Sequence, residues 1–173
     1  MENEVIKTLT ERRSVRAYSK KQVEDEKLQL ILKAGTYAPT GMGMQSPVMV
    51  VVQDEETVAL LSRLNGKVMG TSSDPFYGAS TVVVVLADKT VSTHVEDGSL
   101  VMGNLMNAAF SLGVDSCWIH RAREVFQTKE GKELLKKWGI GDNYVGIGNC
   151  ILGYRSGTLP TARPRKKNYI YSV

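Results

Sequence analysis

The chain has 173 residues, 42% of them hydrophobic, enough for one domain with a real core. Disordered, collagen-like and disulfide-scaffold classes are excluded by composition. The net charge of +4, from 22 Lys and Arg against 18 Asp and Glu, is modest and compatible with several kinds of partner.

Residues from about Glu2 to Arg13 read as a short helix, with Val5, Ile6 and Leu9 on one face. Gln22 to Glu26 opens a second helix, its acids suited to the positive end of the dipole. Leu28, Ile31, Leu32 and Gly35 keep the helical period, and Pro39 ends it. Ala38 to Pro47 is a loop rich in turn residues. Val48 to Val52 is a β-branched run expected to form a strand buried on both faces. A helix is expected over Glu55 to Met69, then a loop over Gly70 to Pro75, then a second buried strand over Thr81 to Ala87.

Asp97 to Leu112 reads as a long helix, and no charged residue occurs from Gly98 to Val114. A helix apolar nearly all round is buried nearly all round. Its Ser and Asn content and its length exclude a membrane span, so a central helix that also meets a second subunit is expected. Gly113 closes it. A short strand follows at Asp115 to Ile119, an amphipathic helix at Glu124 to Trp138, and a last strand at Tyr144 to Leu152. Strands alternating with helices give an α/β single domain.

The charge is uneven. Between Lys7 and Lys21 lie six basic residues and one acid, Glu11; between Tyr154 and Val173 lie Arg155, Arg163, Arg165, Lys166 and Lys167 with no acid. A mildly acidic body thus carries two basic ends. They suit a solvated surface, a nucleic acid, an acidic membrane face or a phosphate-bearing small molecule. Aromatic residues near them are few, which disfavours base stacking.

Several enzyme classes lack their parts. Two histidines, His94 and His120, and no HExxH, CxxC or EF-hand spacing make no protein metal site. No P-loop, GxGxxG or GxSxG occurs where it would function. Cys117 lies in an apolar strand and is expected to be packed rather than nucleophilic. The two distant cysteines fit a reducing compartment, and the start MENEVIKTLTERRS lacks an export signal's apolar stretch, so a cytoplasmic location is expected. What remains is Arg12-Arg13-Ser14-Val15-Arg16. Three guanidinium groups and a hydroxyl can hold a phosphate dianion, and in an extended segment Arg12, Ser14 and Arg16 share one side.

Arg12 to Tyr18 resembles the R-R-S-x-R-x-[FY] signature of the nitroreductase family of FMN-dependent oxidoreductases. Ala38-Pro39-Thr40-Gly41-x-x-x-Gln45-x-Pro47 is similar to that family's second loop. Leu112-Gly113-x-x-Ser116-Cys117-Trp118-Ile119 resembles a third segment, and Gly153-Tyr154 with Arg163-Pro164-Arg165-Lys166 resembles the closing elements. The four run in the family's order over nearly the whole chain.

The resemblance implies a single FMN-binding domain over residues 1–173. Its sheet would be mostly antiparallel, central and flanked by helices, with the long apolar helix at a homodimer interface. Arg12, Arg13, Ser14 and Arg16 would hold the FMN phosphate and ribityl chain, joined by Arg163 and Arg165 from a tail, about 155–173, that closes on the cofactor or the partner subunit. Pro39, Thr40, Gly41 and Gln45 would come from the other subunit. Cys117, Trp118, Ile119 and His120 would lie along the isoalloxazine ring, and Asn65 would bond its edge.

NADH or NADPH would donate hydride, and a nitroaromatic, quinone or enone would accept electrons by a ping-pong mechanism; no catalytic acid or base is named. Departures from the pattern are Gly43 in place of the family's Asn, Ser46-Pro47 after Gln45, and His120-Arg121 at the strand end. The alternatives are the same fold fragmenting flavin or removing halogen, and a basic nucleic-acid-binding module. Neither nucleic acid nor membrane is the expected partner.

Overall fold

The structure, a computed structural model, describes residues 3–173. The Glu2 end of the first expected helix lies outside them. Eleven elements follow in order: α1 (Glu4–Glu11), α2 (Asp25–Thr36), a 3-10 turn (Gly41–Gly43), β1 (Pro47–Val52), α3 (Glu55–Met69), β2 (Thr81–Asp88), α4 (His94–Ser111), β3 (Asp115–Ile119), α5 (Ala122–Gln127), α6 (Lys129–Lys137) and β4 (Tyr144–Gly153). The four strands form one sheet in the order β1-β2-β4-β3, with every pairing antiparallel.

Alternating strands and helices usually signal a parallel sheet, and the connections explain why this one is not. α3 and the loop behind it leave the end of β1 and return at that same end, because Val52 faces Val82. The α5–α6 pair likewise brings β4 back beside β3 in the opposite sense. Only α4 crosses over, linking β2 to β3 with β4 inserted between them.

β2 is the axis of the core. Val82, Val84 and Leu86 face one apolar cluster with α3, α5 and α6; Val83, Val85 and Ala87 face another with α2 and α4. Period-two alternation sends each residue to one of the two layers, so the run is apolar throughout. β1 corrects the sequence expectation. It is an edge strand, mostly half-buried, with Val51 39% exposed; only β2 pairs with it.

The expected Glu124–Trp138 helix is two helices. Thr128 breaks it with an extended backbone, accepts from the Gly131 amide as N-cap of α6, and donates to the Val125 carbonyl. Gly131 tolerates this bend because a Cβ there would sit 2.1 Å from the Val125 carbonyl oxygen. α4 begins at His94, a turn before the expected Asp97, and α2 begins at Asp25 rather than Gln22. α4 buries Val101, Met102, Leu105 and Ala109, while Leu100 on its other side is 46% exposed.

A register shift between Val85 and Leu86 leaves Ile147 of β4 without a partner on β2. Ile147 packs against Gly98 of α4, where a Cβ would lie 2.6 Å from it. The adjacent Gly146 lies against the Ala122 backbone at the start of α5, where a Cβ would meet the carbonyl at 2.4 Å. Gly146→Ala therefore has to push α5 off the sheet, and is expected to lower stability by about 1–3 kcal/mol. A urea melt followed by circular dichroism checks this as a lowered midpoint at unchanged slope.

Candidate functional site

After α1 the chain runs extended along the free edge of the sheet. Ser14 bridges Ser116 of β3, and the Val15 amide donates to the Ser116 carbonyl at 3.1 Å. Further on, Tyr18 bridges Arg155, the Ser19 amide donates to the Tyr154 carbonyl, and the Ser156 amide donates to the Ala17 carbonyl. Val15 and Tyr18 point into the core. Gly153 admits the Tyr18 ring, since a Cβ there would stand 2.9 Å from it.

Val15 is buried and Arg16 exposed, but Ala17 is exposed and Tyr18 turns inward, so strict alternation ends after Arg16. Arg12, Ser14 and Arg16 all act on the Cys117 thiol. Burial pushes that thiol up, and the two guanidinium groups and the Ser14 hydroxyl only partly offset it. Cys117 is packed, as expected, and Cys150 behind it is pushed up to about 12, chiefly by burial. Burial also raises the Tyr18 hydroxyl, so it stays protonated. Arg13 turns away: its Nη1 donates to the Thr10 and Arg12 carbonyls at 2.8 Å and caps α1.

Five buried polar side-chain atoms among the described residues have no hydrogen-bond partner: Arg12 Nη1, Tyr18 OH, Ser116 Oγ, Asn65 Oδ1 and Asn149 Oδ1. Unpartnered buried polar atoms cost free energy and call for an explanation. These five sort by place. The guanidinium and the two hydroxyls, all donors, belong to the start of β3 and the segment stitched to it. The two amide oxygens, both acceptors, belong to its end. Asn149 pairs with Ile119, and Asn65, fully buried on α3, donates through Nδ2 to the His120 carbonyl at 2.9 Å. Trp118 and Ile119 lie between these two groups, and His120 is exposed just beyond the strand. Tyr18, Ser116 and Asn149 are the residues sequence reasoning missed; the first two lie inside the quoted motifs.

The remaining expected residues do not lie along β3. Pro39, Thr40, Gly41 and Gln45 precede β1, the far edge strand, which lies four strand spacings or about 19 Å from the Ser14 segment. Their loop is tied to α4. Asp97, 2% exposed, accepts from the Gly41 amide at 2.9 Å and the Ser46 hydroxyl at 2.7 Å. Gly41 is needed for close approach, because a Cβ would lie 2.3 Å from Thr93 Oγ1. Gln45 is exposed and has φ of 49°. Arg163 and Arg165 are exposed on the tail, with no hydrogen bond or ion pair among the described residues. Arg155 is engaged: its Nη1 lies 2.7 Å from buried Asp115, which also takes its amide. A cavity of about 620 Å³ between α3 and residues 71–80 is lined by none of the expected site residues. No metal-binding cluster occurs among the described residues, and none of their helices is long and apolar enough to cross a membrane.

A profile of the nitroreductase family matches residues 9–73, which hold the Arg12–Tyr18 segment and the Pro39–Gln45 loop. A protein of Archaeoglobus fulgidus named as an NADH dehydrogenase/NAD(P)H nitroreductase is 33% identical over 156 residues, covering 87% of this chain and 85% of its own. The chain belongs to the nitroreductase family. A nitroreductase with bound FMN from Bacteroides fragilis is 30% identical and superposes with a TM-score of 0.91 over 99% of this chain and 100% of the other. A second, from Desulfitobacterium hafniense and also with bound FMN, gives 26% identity and a TM-score of 0.88 over the same shares. The chain thus keeps the fold of these family members nearly end to end.

Burial alone would raise the Asp97 carboxyl, but hydrogen bonds from Gly41, Ser46 and Thr93, with His94 nearby, outweigh it and hold the pKa below the usual aspartate value. A lowered folded-state pKa contributes stability that is full above the ordinary aspartate pKa and is lost as acid protonates the group. Asp97→Ala is expected to cost about 1.5–3 kcal/mol at neutral pH, to lose less stability on acidification than the wild type, and to speed proteolytic nicking within residues 40–46. Urea melts across pH, with limited proteolysis, check all three.

Proposed function

We propose that this member of the nitroreductase family is a homodimeric FMN-dependent oxidoreductase that takes hydride from NADH or NADPH and passes electrons to a small organic acceptor. The observation that carries the reading is the sorting of unpartnered buried atoms along β3. Donors at one end fit a phosphate, and acceptors at the other fit ring N–H groups. A group with an anionic tail and a polar ring edge would satisfy both ends at once.

Arg12, Ser14 and Arg16 would hold the phosphate. The guanidinium groups form charge-assisted hydrogen bonds and fix the cofactor's tail. Cys117, Trp118, Ile119 and His120 would line the ring, and Asn65 holds the His120 carbonyl so that the strand end keeps its position. Arg13 would act through α1 rather than on the cofactor. Bound FMN supplies reversible hydride acceptance and electron delivery to nitroaromatic, quinone or enone acceptors in a ping-pong cycle. The protein supplies anchoring, orientation and access.

Pro39, Thr40, Gly41 and Gln45 would complete the site from the partner subunit, because within one chain they stand on the opposite sheet edge. Exposed apolar residues support this association: Leu30, Tyr37, Met42 and Met44 on α2 and its loop, Val5 and Leu9 on α1, and Leu100 on α4. The whole chain would act as one domain, its tail (155–173) bringing Arg163 and Arg165 to the cofactor or the partner.

The protein is expected to retain visible flavin absorbance after incubation with FMN and desalting, and then to oxidise NADH or NADPH in the presence of menadione or nitrobenzene. Arg12→Ala should weaken FMN binding by about 1.5–3 kcal/mol, roughly ten- to hundredfold in Kd. Absence of retained flavin in the wild type contradicts the reading.

A further inference from the structure

The loop between α2 and β1 holds an unfavourable backbone shape. Met42, Gly43 and Gln45 have φ of 51°, 68° and 49°, so two residues with a Cβ sit in the left-handed region. Such backbone costs free energy and persists only where its surroundings impose it. Burial of the tip does not impose it, since Met42 is 92% and Met44 57% exposed. Polar contacts do. The Gln45 amide donates to Thr40 Oγ1 at 3.1 Å, and the Asp88 amide donates to the Ser46 carbonyl at 3.0 Å. Asp97 takes the Gly41 amide and the Ser46 hydroxyl, one from each end of the loop.

A buried carboxylate is a costly clamp. Charged groups taken out of water normally have a partner of opposite charge, and Asp97 is in no ion pair among the described residues. Its oxygens are met by neutral donors instead. Charge-assisted hydrogen bonds are about twice as strong as neutral ones, so the carboxylate holds both ends of the loop firmly. The clamp is itself fixed, because Gly98 beside it lies against Ile147 of β4. A loop with clamped ends and a solvent-facing tip is preorganised for a contact that its own subunit does not make.

We propose that Asp97 is a positioning residue for flavin binding in the other subunit. Through Gly41 and Ser46 it presents the Thr40–Gln45 backbone in one conformation to FMN held by its partner, and it touches no cofactor itself. The proposal rests on the dimeric FMN reading and goes beyond it by giving a buried carboxylate of one subunit a role in its partner's site.

Dimers assembled from two differently tagged chains test this. With Asp97→Ala in one subunit and Arg12→Ala in the other, both defects fall in one site and the second site is whole. With both substitutions in one subunit beside a wild-type partner, each site carries one defect. Titration with FMN, followed by flavin fluorescence, is expected to find one site of wild-type affinity in the first dimer and none in the second. The Asp97→Ala homodimer is expected to bind FMN roughly tenfold more weakly than the wild type. Asp97→Asn, which still accepts from the Gly41 amide, is run in the same arrangements and is expected to give the same pattern with a smaller loss; it keeps the test open if the alanine variant does not fold. The reverse pattern overturns the proposal, because the carboxylate then acts within its own subunit. So does the absence of a wild-type site from both dimers, the mark of a substitution that only destabilises its own chain. Unchanged FMN affinity in both Asp97 homodimers also overturns it, and leaves the FMN reading standing. A wild type that binds no flavin removes the reading and the proposal together.

Discussion

The stitching of residues 14–19 to the free edge of the sheet is the constraint on which the candidate site depends. Hydrogen bonds from Val15, Ser19 and Ser156 fix this segment between β3 and the start of the tail, and Val15 and Tyr18 anchor it in the core. Ser14 and Arg16 flank buried Val15, with Arg12 just ahead of them. A cluster of cations normally spreads apart; here it is held together by backbone pairing and apolar burial. The energy for holding like charges near Cys117 comes from the core beneath them, and a bound dianion would relieve that repulsion.

The same edge brings the two basic ends of the chain into contact, but less completely than their charge suggests. Arg155 reaches the N-terminal segment, yet its charge is taken up by buried Asp115. Lys21 pairs with Glu24 and sits over the Tyr154 ring. What is left for an anion on this edge is Arg12 and Arg16, while Arg163 and Arg165 stand free on the exposed tail. Exposed Arg121 and Arg123 follow the opposite end of β3, with the exposed carboxylate of Glu124 beside them.

Much of this was legible in the sequence because it depends on local chemistry. The β-branched run at Val82 to Leu86 has no stable place except a strand covered on both sides, and the uncharged Gly98 to Val114 stretch has none except a helix over the sheet. The Arg12–Arg16 spacing marks phosphate candidates on an extended segment, and the backbone there is stitched to the sheet edge. What was not legible depends on long-range neighbours. Val48 to Val52 has the same composition as β2 yet ends at a sheet edge, because composition does not state how many partners a strand has. Thr128 reads as an ordinary helix residue until Gly131 is seen to abut Val125. Tyr18, Ser116 and Asn149 become candidate ligand contacts only through what they fail to bond, and Asp97 becomes the anchor of the 40–46 loop only once α4 is placed.

The central claim is that the donors gathered at the start of β3 form a phosphate site. Comparing FMN with riboflavin, which share the ring system and differ by the phosphate, isolates that claim. Isothermal titration of the apoprotein with each is expected to show FMN binding at least a hundredfold more tightly, by about 3 kcal/mol or more, with the preference shrinking as salt is raised. Equal affinity for the two flavins, or a preference insensitive to salt, would contradict it.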